Sequence, residues 1–228
     1  MSDEVSRETG SAAPLAPSAA RGVFAATLPQ AEVYADLLAR EATVRGLIGP
    51  REVPRLWERH LLNCAVVADL IPEGSSVADI GSGAGLPGIV LAVRRPDLRV
   101  TLIEPLLRRT TFLDLVVERM GLSGVTVHRG RAEEWVRQHP DEEGFDVVTS
   151  RAVAPLERLA GWSLPLTRPG GRVLAMKGSS AAAEIEVASK VIARLGGEDV
   201  TVEWVGGEWL PDPVTVVGIR RTGRRRRA

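Results

Sequence analysis

Two kinds of hydrophobic spacing divide this chain. Over residues 28–45, Val33, Leu37, Leu38 and Val44 recur at roughly helical intervals, and over 55–70 the stripe is Leu56, Leu61, Leu62, Val66, Val67 and Leu70. Between them, residues 46–54 carry glycines and prolines that break the pattern. From Ser75 onward, short β-branched runs at 77–80, 100–104, 125–128, 145–150 and 172–177 predict strands. Helical patterns fall between and after them, at 87–95, 108–120, 132–139, 156–164 and 181–195. Two further strand patterns, 200–205 and 214–220, are joined by a connection short enough for a hairpin-like return.

Such alternation builds βαβ units around a parallel sheet. The expected fold is α/β and Rossmann-like: a seven-stranded, mostly parallel sheet with a terminal antiparallel pair and N-terminal cap helices. Residues 1–22, rich in Ala, Ser and Pro without a hydrophobic period, read as a disordered arm. Residues 23–74 form the helical cap, 75–220 the sheet-bearing domain and 221–228 an arginine-rich tail.

Composition narrows this picture without redirecting it. Apolar residues make up 44% of the 228 and charged residues 25%, enough for one soluble core. No apolar run approaches the ~20 residues of a membrane span, and the polar N-terminus is unlike a secretory signal. One cysteine, Cys64, excludes an internal disulfide and a cysteine-based metal knuckle, so a cytoplasmic setting without bound metal is expected. A monomer is the default. The net charge is zero, but six arginines lie from Arg220 onward with no acid, so the preceding residues sum to −6. Phosphate would meet the tail more readily than the body.

The chemistry concentrates in residues 79–88, Asp-Ile-Gly-Ser-Gly-Ala-Gly-Leu-Pro-Gly, spanning a strand end, a turn and a helix start. Glycine at three alternate positions (Gly81, Gly83, Gly85) lets the backbone take positive φ and a ligand come close. Residues 83–88 also satisfy G-x-G-x-x-G, the dinucleotide fingerprint. In a dehydrogenase that motif starts at the strand end and faces a pyrophosphate. Here two residues intervene and Asp79 precedes them, a carboxylate that repels pyrophosphate but attracts the ammonium or sulfonium of S-adenosylmethionine. Glu104 ends the second strand, where a carboxylate can accept both ribose hydroxyls. Glu133 follows the third strand, within reach of an adenine amino edge. With these acids at its strand ends, the Rossmann-like fold is expected to be of the class I methyltransferase type, residues 75–220 forming the S-adenosylmethionine-dependent methyltransferase domain.

The acceptor is less legible. The loop after the fourth strand, residues 145–152, lacks the Asn/Asp-Pro-Pro-aromatic segment of exocyclic-amine methylation. Carbon-5 methylation of a pyrimidine needs a cysteine nucleophile, and Cys64 reads as a small buried hydrophobe. His60, His128 and His139 make no obvious base arrangement. Guanine N7 has no proton to lose, so its methylation needs positioning at ~3–3.5 Å and charge stabilisation rather than a base. Arg151 and Lys177, ending the fourth and fifth strands, suit nucleic acid or the cofactor carboxylate. A small-molecule methyltransferase on the same fold and a non-catalytic nucleic-acid binder remain open at this point.

Residues 81–89 (Gly-Ser-Gly-Ala-Gly-Leu-Pro-Gly-Ile), Arg131–Ala132–Glu133, Ser150–Arg151–Ala152, Lys177–Gly178 and the upstream Arg59–His60–Leu61–Leu62 resemble the RsmG family, formerly glucose-inhibited division protein B. The resemblance runs from about Leu28 to Arg220. Many relatives have Asp-Ser where this chain has Asn63–Cys64, which leaves open a carboxylate role at position 63. The resemblance implies cofactor contacts at Gly81, Leu86, Ala132, Glu133 and Arg151, with Lys177 and His60 near the acceptor. It also implies the substrate: N7 of the guanine at position 527, in the 530 loop of 16S ribosomal RNA, free or within the small subunit.

Overall fold

The computed structural model describes residues 12–222. Seven strands form one sheet in the order β3-β2-β1-β4-β5-β7-β6. They are β1 (Ser76–Ile80), β2 (Arg99–Glu104), β3 (Val125–Arg129), β4 (Phe145–Arg151), β5 (Thr167–Lys177), β6 (Gly197–Val205) and β7 (Val214–Arg221). The first five run parallel, and β7 enters antiparallel between β5 and β6. The strand order reverses at β1 and β4, so their carboxyl ends open the crevice where ligands bind in such sheets. The seven-stranded sheet with its antiparallel end is the fold expected from the spacing.

Alternate residues of each strand face opposite layers. Val77, Leu102, Val147, Leu174 and Val216 face a layer built from α4 (Gly88–Arg94), α5 (Leu107–Met120) and the N-terminal helices. Ala78, Ile103, Val148, Ala175 and Val217 face the opposite layer of α6 (Ala132–Gln138), α7 (Leu156–Leu166) and α8 (Ala181–Arg194). The cap residues and the sheet share one continuous hydrophobic cluster, so the cap is part of the core wall rather than a separate body.

The cap differs in detail from the spacing. Helix α2 (Leu28–Leu37) widens into a π turn at Leu38–Ala42. The second rod starts at Pro50, five residues before the expected 55, because proline fits a first helical turn. It runs through a 3-10 stretch Pro50–Arg55, a π stretch Leu56–Leu62, the α turn α3 (Asn63–Ala65) and a 3-10 end Val66–Leu70. Strand β5 likewise begins at Thr167 instead of 172.

The two ends of the chain also differ from expectation. Within the arm expected over 1–22, residues from Ser18 form helix α1 (Ser18–Phe24), while residues 1–11 lie outside the described residues. Its order comes from distant partners: Phe24 packs edge-on against Trp57 at 6.2 Å, and Trp57 Nε1 donates to Pro14 O at 2.9 Å. In the arginine tail, Arg221 belongs to β7 and donates to the carbonyls of Leu164, Pro165 and Thr167. Arg220 pairs with Glu198 and Asp199. These two arginines are structural; Arg224 to Arg227 lie outside the described residues. No helix is long and apolar enough to cross a membrane among the described residues.

Candidate active site

The turn after β1 is held from three directions. Gly81 N–H donates to Ile103 O at 2.8 Å, tying the strand end to β2. Gly88 N–H, opening α4, donates to Asp79 Oδ2 at 3.0 Å. Tyr34, buried on α2, donates its hydroxyl to Ala84 O at 2.6 Å, so the cap grips the turn directly. Gly81 must be glycine twice over: its φ is +67°, and a Cβ there would lie 2.9 Å from Val153 Cγ2.

Beside this turn lies a cavity of about 420 Å³. Its walls come from four strand ends: Gly81 after β1, Glu104 ending β2, Ala132 and Glu133 after β3, and Arg151 ending β4. All five were candidates on sequence grounds. Asp79, Gly83, Gly85 and Leu86 do not line it. Asp79 is fully buried, with its Oδ2 taken by Gly88 and its Oδ1 without any hydrogen-bond partner. Burial pushes its carboxyl up to about 7, against the opposing pull of the Gly88 N–H.

Glu104 is the hub of the cavity. Its buried carboxylate accepts from Gly83 N–H at 3.0 Å, Leu106 N–H at 3.0 Å and Arg109 Nη1 at 3.2 Å. One side chain thus fixes the glycine-rich turn and the start of α5 against each other. Arg109, Leu106 and Val153 belong to the cavity but escaped sequence reasoning, since an exposed leucine or an i+5 arginine carries no local signal. Val153 follows Ala152, whose φ of +54° is rare for a residue with a Cβ and turns the loop back over Gly81.

Arg151 joins the cavity to the cap. Its guanidinium donates to Arg59 O at 2.8 Å and meets His60 Nδ1 at 3.0 Å, and it lies 3.5 Å from Cys64 Sγ. On the far side of the ring, His60 Nε2 meets Glu52 Oε2 at 2.9 Å. The hydrogen-bond network assigns the neutral tautomer with its proton on Nε2, since Nδ1 has to accept from arginine. Burial and the Arg151 charge hold His60 below its usual value, against the opposing pull of Glu52. Burial pushes the Cys64 thiol up, which keeps it protonated and unsuited to nucleophilic attack.

The His60 bond has a pH signature. Because the folded state binds the proton less tightly than the unfolded chain, the contribution is full above about pH 6.5 and is lost as pH falls through the lower folded value. Wild-type urea midpoints should therefore drop between pH 8 and pH 5 relative to those of His60→Gln. A difference between the two proteins that stays constant over that range would refute the assignment.

The wall formed by Arg151, Ala152 and Val153 is shared with a larger, open groove of about 1070 Å³ that runs along the carboxyl ends of β4 and β5 toward β7 and β6. Lys177 lines it but is not a free cation: its Nζ donates to Ala154 O at 2.8 Å and to Glu184 Oε2 at 2.7 Å. His60 lines neither space and reaches both through Arg151. No group of three or more His, Cys, Asp or Glu side chains is placed to hold a metal among the described residues.

Two solved structures of similar architecture are described as methyltransferases, at low sequence identity. A predicted O-methyltransferase of Agrobacterium tumefaciens matches with a TM-score of 0.56 and 19% identity, over 73% of this chain and 82% of that one. A SAM-dependent O-methyltransferase of Thermotoga maritima matches with a TM-score of 0.52 and 16% identity, over 72% and 66%. These likenesses speak to the fold alone. Sequence comparison reaches further. A protein named ribosomal RNA small subunit methyltransferase G from Nocardioides sp. is 60% identical over 220 residues, covering 96% of this chain and 85% of the relative. Its namesake in Corynebacterium efficiens is 57% identical over 206 residues, covering 90% and 88%. The family model described as rRNA small subunit methyltransferase G matches residues 27–210. With matches of that extent around an intact strand-end cavity, the chain belongs to the rRNA small subunit methyltransferase G family.

Proposed function

We propose that this chain methylates N7 of a guanine in the 530 loop of 16S ribosomal RNA, at position 527, with S-adenosylmethionine as donor. The observation that carries the reading is the pairing of two spaces across one wall. The 420 Å³ cavity has the size of a small-molecule site. The groove beyond Arg151–Val153 is open and more than twice as large, suited to a bulky acceptor.

The cavity fits the cofactor on its own terms. Gly81 leaves a cradle that a Cβ would fill, with Val153 above it. Gly81, Glu104, Ala132, Glu133 and Arg151 would hold the nucleoside and amino-acid parts, and Asp79, Gly83, Gly85 and Leu86 would shape the turn behind them. Bound there, S-adenosylmethionine supplies an electrophilic methyl group. The protein's own groups orient and enclose rather than exchange protons. Both His60 nitrogens are engaged, Lys177 is bonded to Glu184, and the Cys64 thiol stays protonated. Such a site suits an acceptor whose lone pair is already free, as at guanine N7.

In this reading residues 75–220 are the methyltransferase domain and 23–74 its cap. The partner is cytoplasmic 16S RNA, alone or in the small subunit, and the protein acts as a monomer. Labelled-methyl transfer to 16S RNA and to small subunits, with the modified base mapped, tests it. The expected result is a single labelled guanine N7, with transfer weakening as salt screens the phosphate contacts. Ready transfer to a metabolite with none to RNA would refute it.

A further inference from the structure

The groove has one feature that neither the cofactor cavity nor a methyl transfer requires. Trp204, near the end of the edge strand β6, is 69% exposed and lines the groove. It faces Thr215 on β7, and Thr215 in turn faces Lys177 on β5. The three residues form one cross-strand row on one face, at the same end of the sheet as Arg151 on β4. An indole left in water at a sheet edge is unusual, since edges are commonly guarded by charge and tryptophan is highly buried on average.

We infer that Trp204 is a stacking platform for an unpaired base of the RNA acceptor, a few nucleotides from the base that receives the methyl group. This rests on the RNA reading above and adds a subsite to it. Proteins that read single-stranded RNA stack splayed bases on exposed aromatic rings. The spacing agrees. Three strand steps of ~4.8 Å separate β4 from β6, so the strand ends that carry Arg151 and Trp204 lie roughly 14 Å apart, with Arg151 projecting from the opposite face of the sheet. A stacked strand advances ~3.4 Å per nucleotide, which makes that span about four nucleotides, or fewer when the bases are splayed.

The chemistry of the row also selects stacking. The Lys177 ammonium is already bonded to Glu184, and Asp212 adds a negative charge to the groove wall. Local charge therefore offers phosphate little at this end, whereas the ring offers a π face that any base can use. The contribution of Trp204 is accordingly insensitive to salt, unlike RNA binding as a whole.

The test is steady-state methyl transfer to 16S RNA or small subunits by the full chain, comparing wild type with Trp204→Ala and Trp204→Phe. Trp204→Ala is expected to raise the apparent KM for RNA roughly 10-fold at both low and high salt, in line with the loss of one stacked base. Its kcat and its affinity for S-adenosylmethionine stay within about twofold of wild type, and Trp204→Phe recovers most of the KM. An unchanged KM in Trp204→Ala, or a kcat loss without a KM change, overturns the platform. So does a Phe variant that folds normally by circular dichroism yet fails to recover. Should light scattering show a wild-type dimer that Trp204→Ala dissolves, the ring covers a second copy of the chain and the inference falls. Wild type that transfers nothing to RNA would overturn the RNA reading itself, a result distinct from all of these.

Discussion

Glu104→Ala is expected to lower folding stability by about 3 kcal/mol and to weaken S-adenosylmethionine binding at least ~100-fold. The stability term follows from the three donors that converge on this buried carboxylate. Two of them are the backbone N–H groups of Gly83 and Leu106, and each loses a hydrogen bond to a charged group, a contribution of about 1.5–3 kcal/mol. Arg109, partly exposed, can turn to water and adds little. The binding term has a different origin. Glu104 closes one wall of the cavity and also sets where Gly83 and Leu106 stand, so its removal deletes a contact and loosens two others. Glu104→Gln separates the effects. Its amide oxygen keeps one backbone N–H, so about half the stability loss should remain, while the carboxylate suited to ribose hydroxyls is gone and binding stays poor. Urea denaturation and calorimetric titration with S-adenosylmethionine measure the two quantities. A folded Glu104→Ala protein that binds with wild-type affinity would remove Glu104 from the site.

Glu104 also shows where sequence reasoning stops. Its place at a strand end was legible because β-branched runs bounded by polar residues mark strands, and ligands gather at their carboxyl ends. Its donors were not legible, since Gly83 comes from the glycine-rich turn and Arg109 from the start of α5, and only the folded chain fixes how the two approach. Tyr34 illustrates the same limit from the opposite side. It fits the apolar stripe of α2 and carries no sign of function, yet its hydroxyl holds Ala84 in the glycine-rich turn, 50 residues away. Helix α1 escaped because an alanine-rich segment looks disordered until Trp57 and Trp209 are brought against it. Local spacing therefore yields which elements exist and which ends carry chemistry, while long-range partners decide what each polar group does there.

Asp79 is the sharpest case of that division, and its titration gives the second large effect. Its carboxyl is fully buried, one oxygen accepts from Gly88 N–H, and the other has no partner. A charge so placed is poorly solvated, which is why burial raises the group to about 7 from an ordinary 3.8. The folded protein then holds this proton more tightly than the unfolded chain does. Its contribution is full below about pH 4 and is lost progressively as pH rises through 7. Integrated over that window, the loss is on the order of 4 kcal/mol, a large share of a typical domain's stability. In Asp79→Asn the side-chain oxygen still accepts from Gly88 and nothing ionises, so that variant has no such slope. Unfolding free energies measured from pH 4 to pH 8 should show wild type losing ground to Asp79→Asn steadily as pH rises. If wild type instead gains on the variant with rising pH, the carboxylate is ionised and stabilised in the fold, and a cation-attracting role for Asp79 beside the turn regains its footing. A wild type that loses ground places Asp79 as the pin of the α4 N-terminus, acting on the cofactor only through the geometry of the turn.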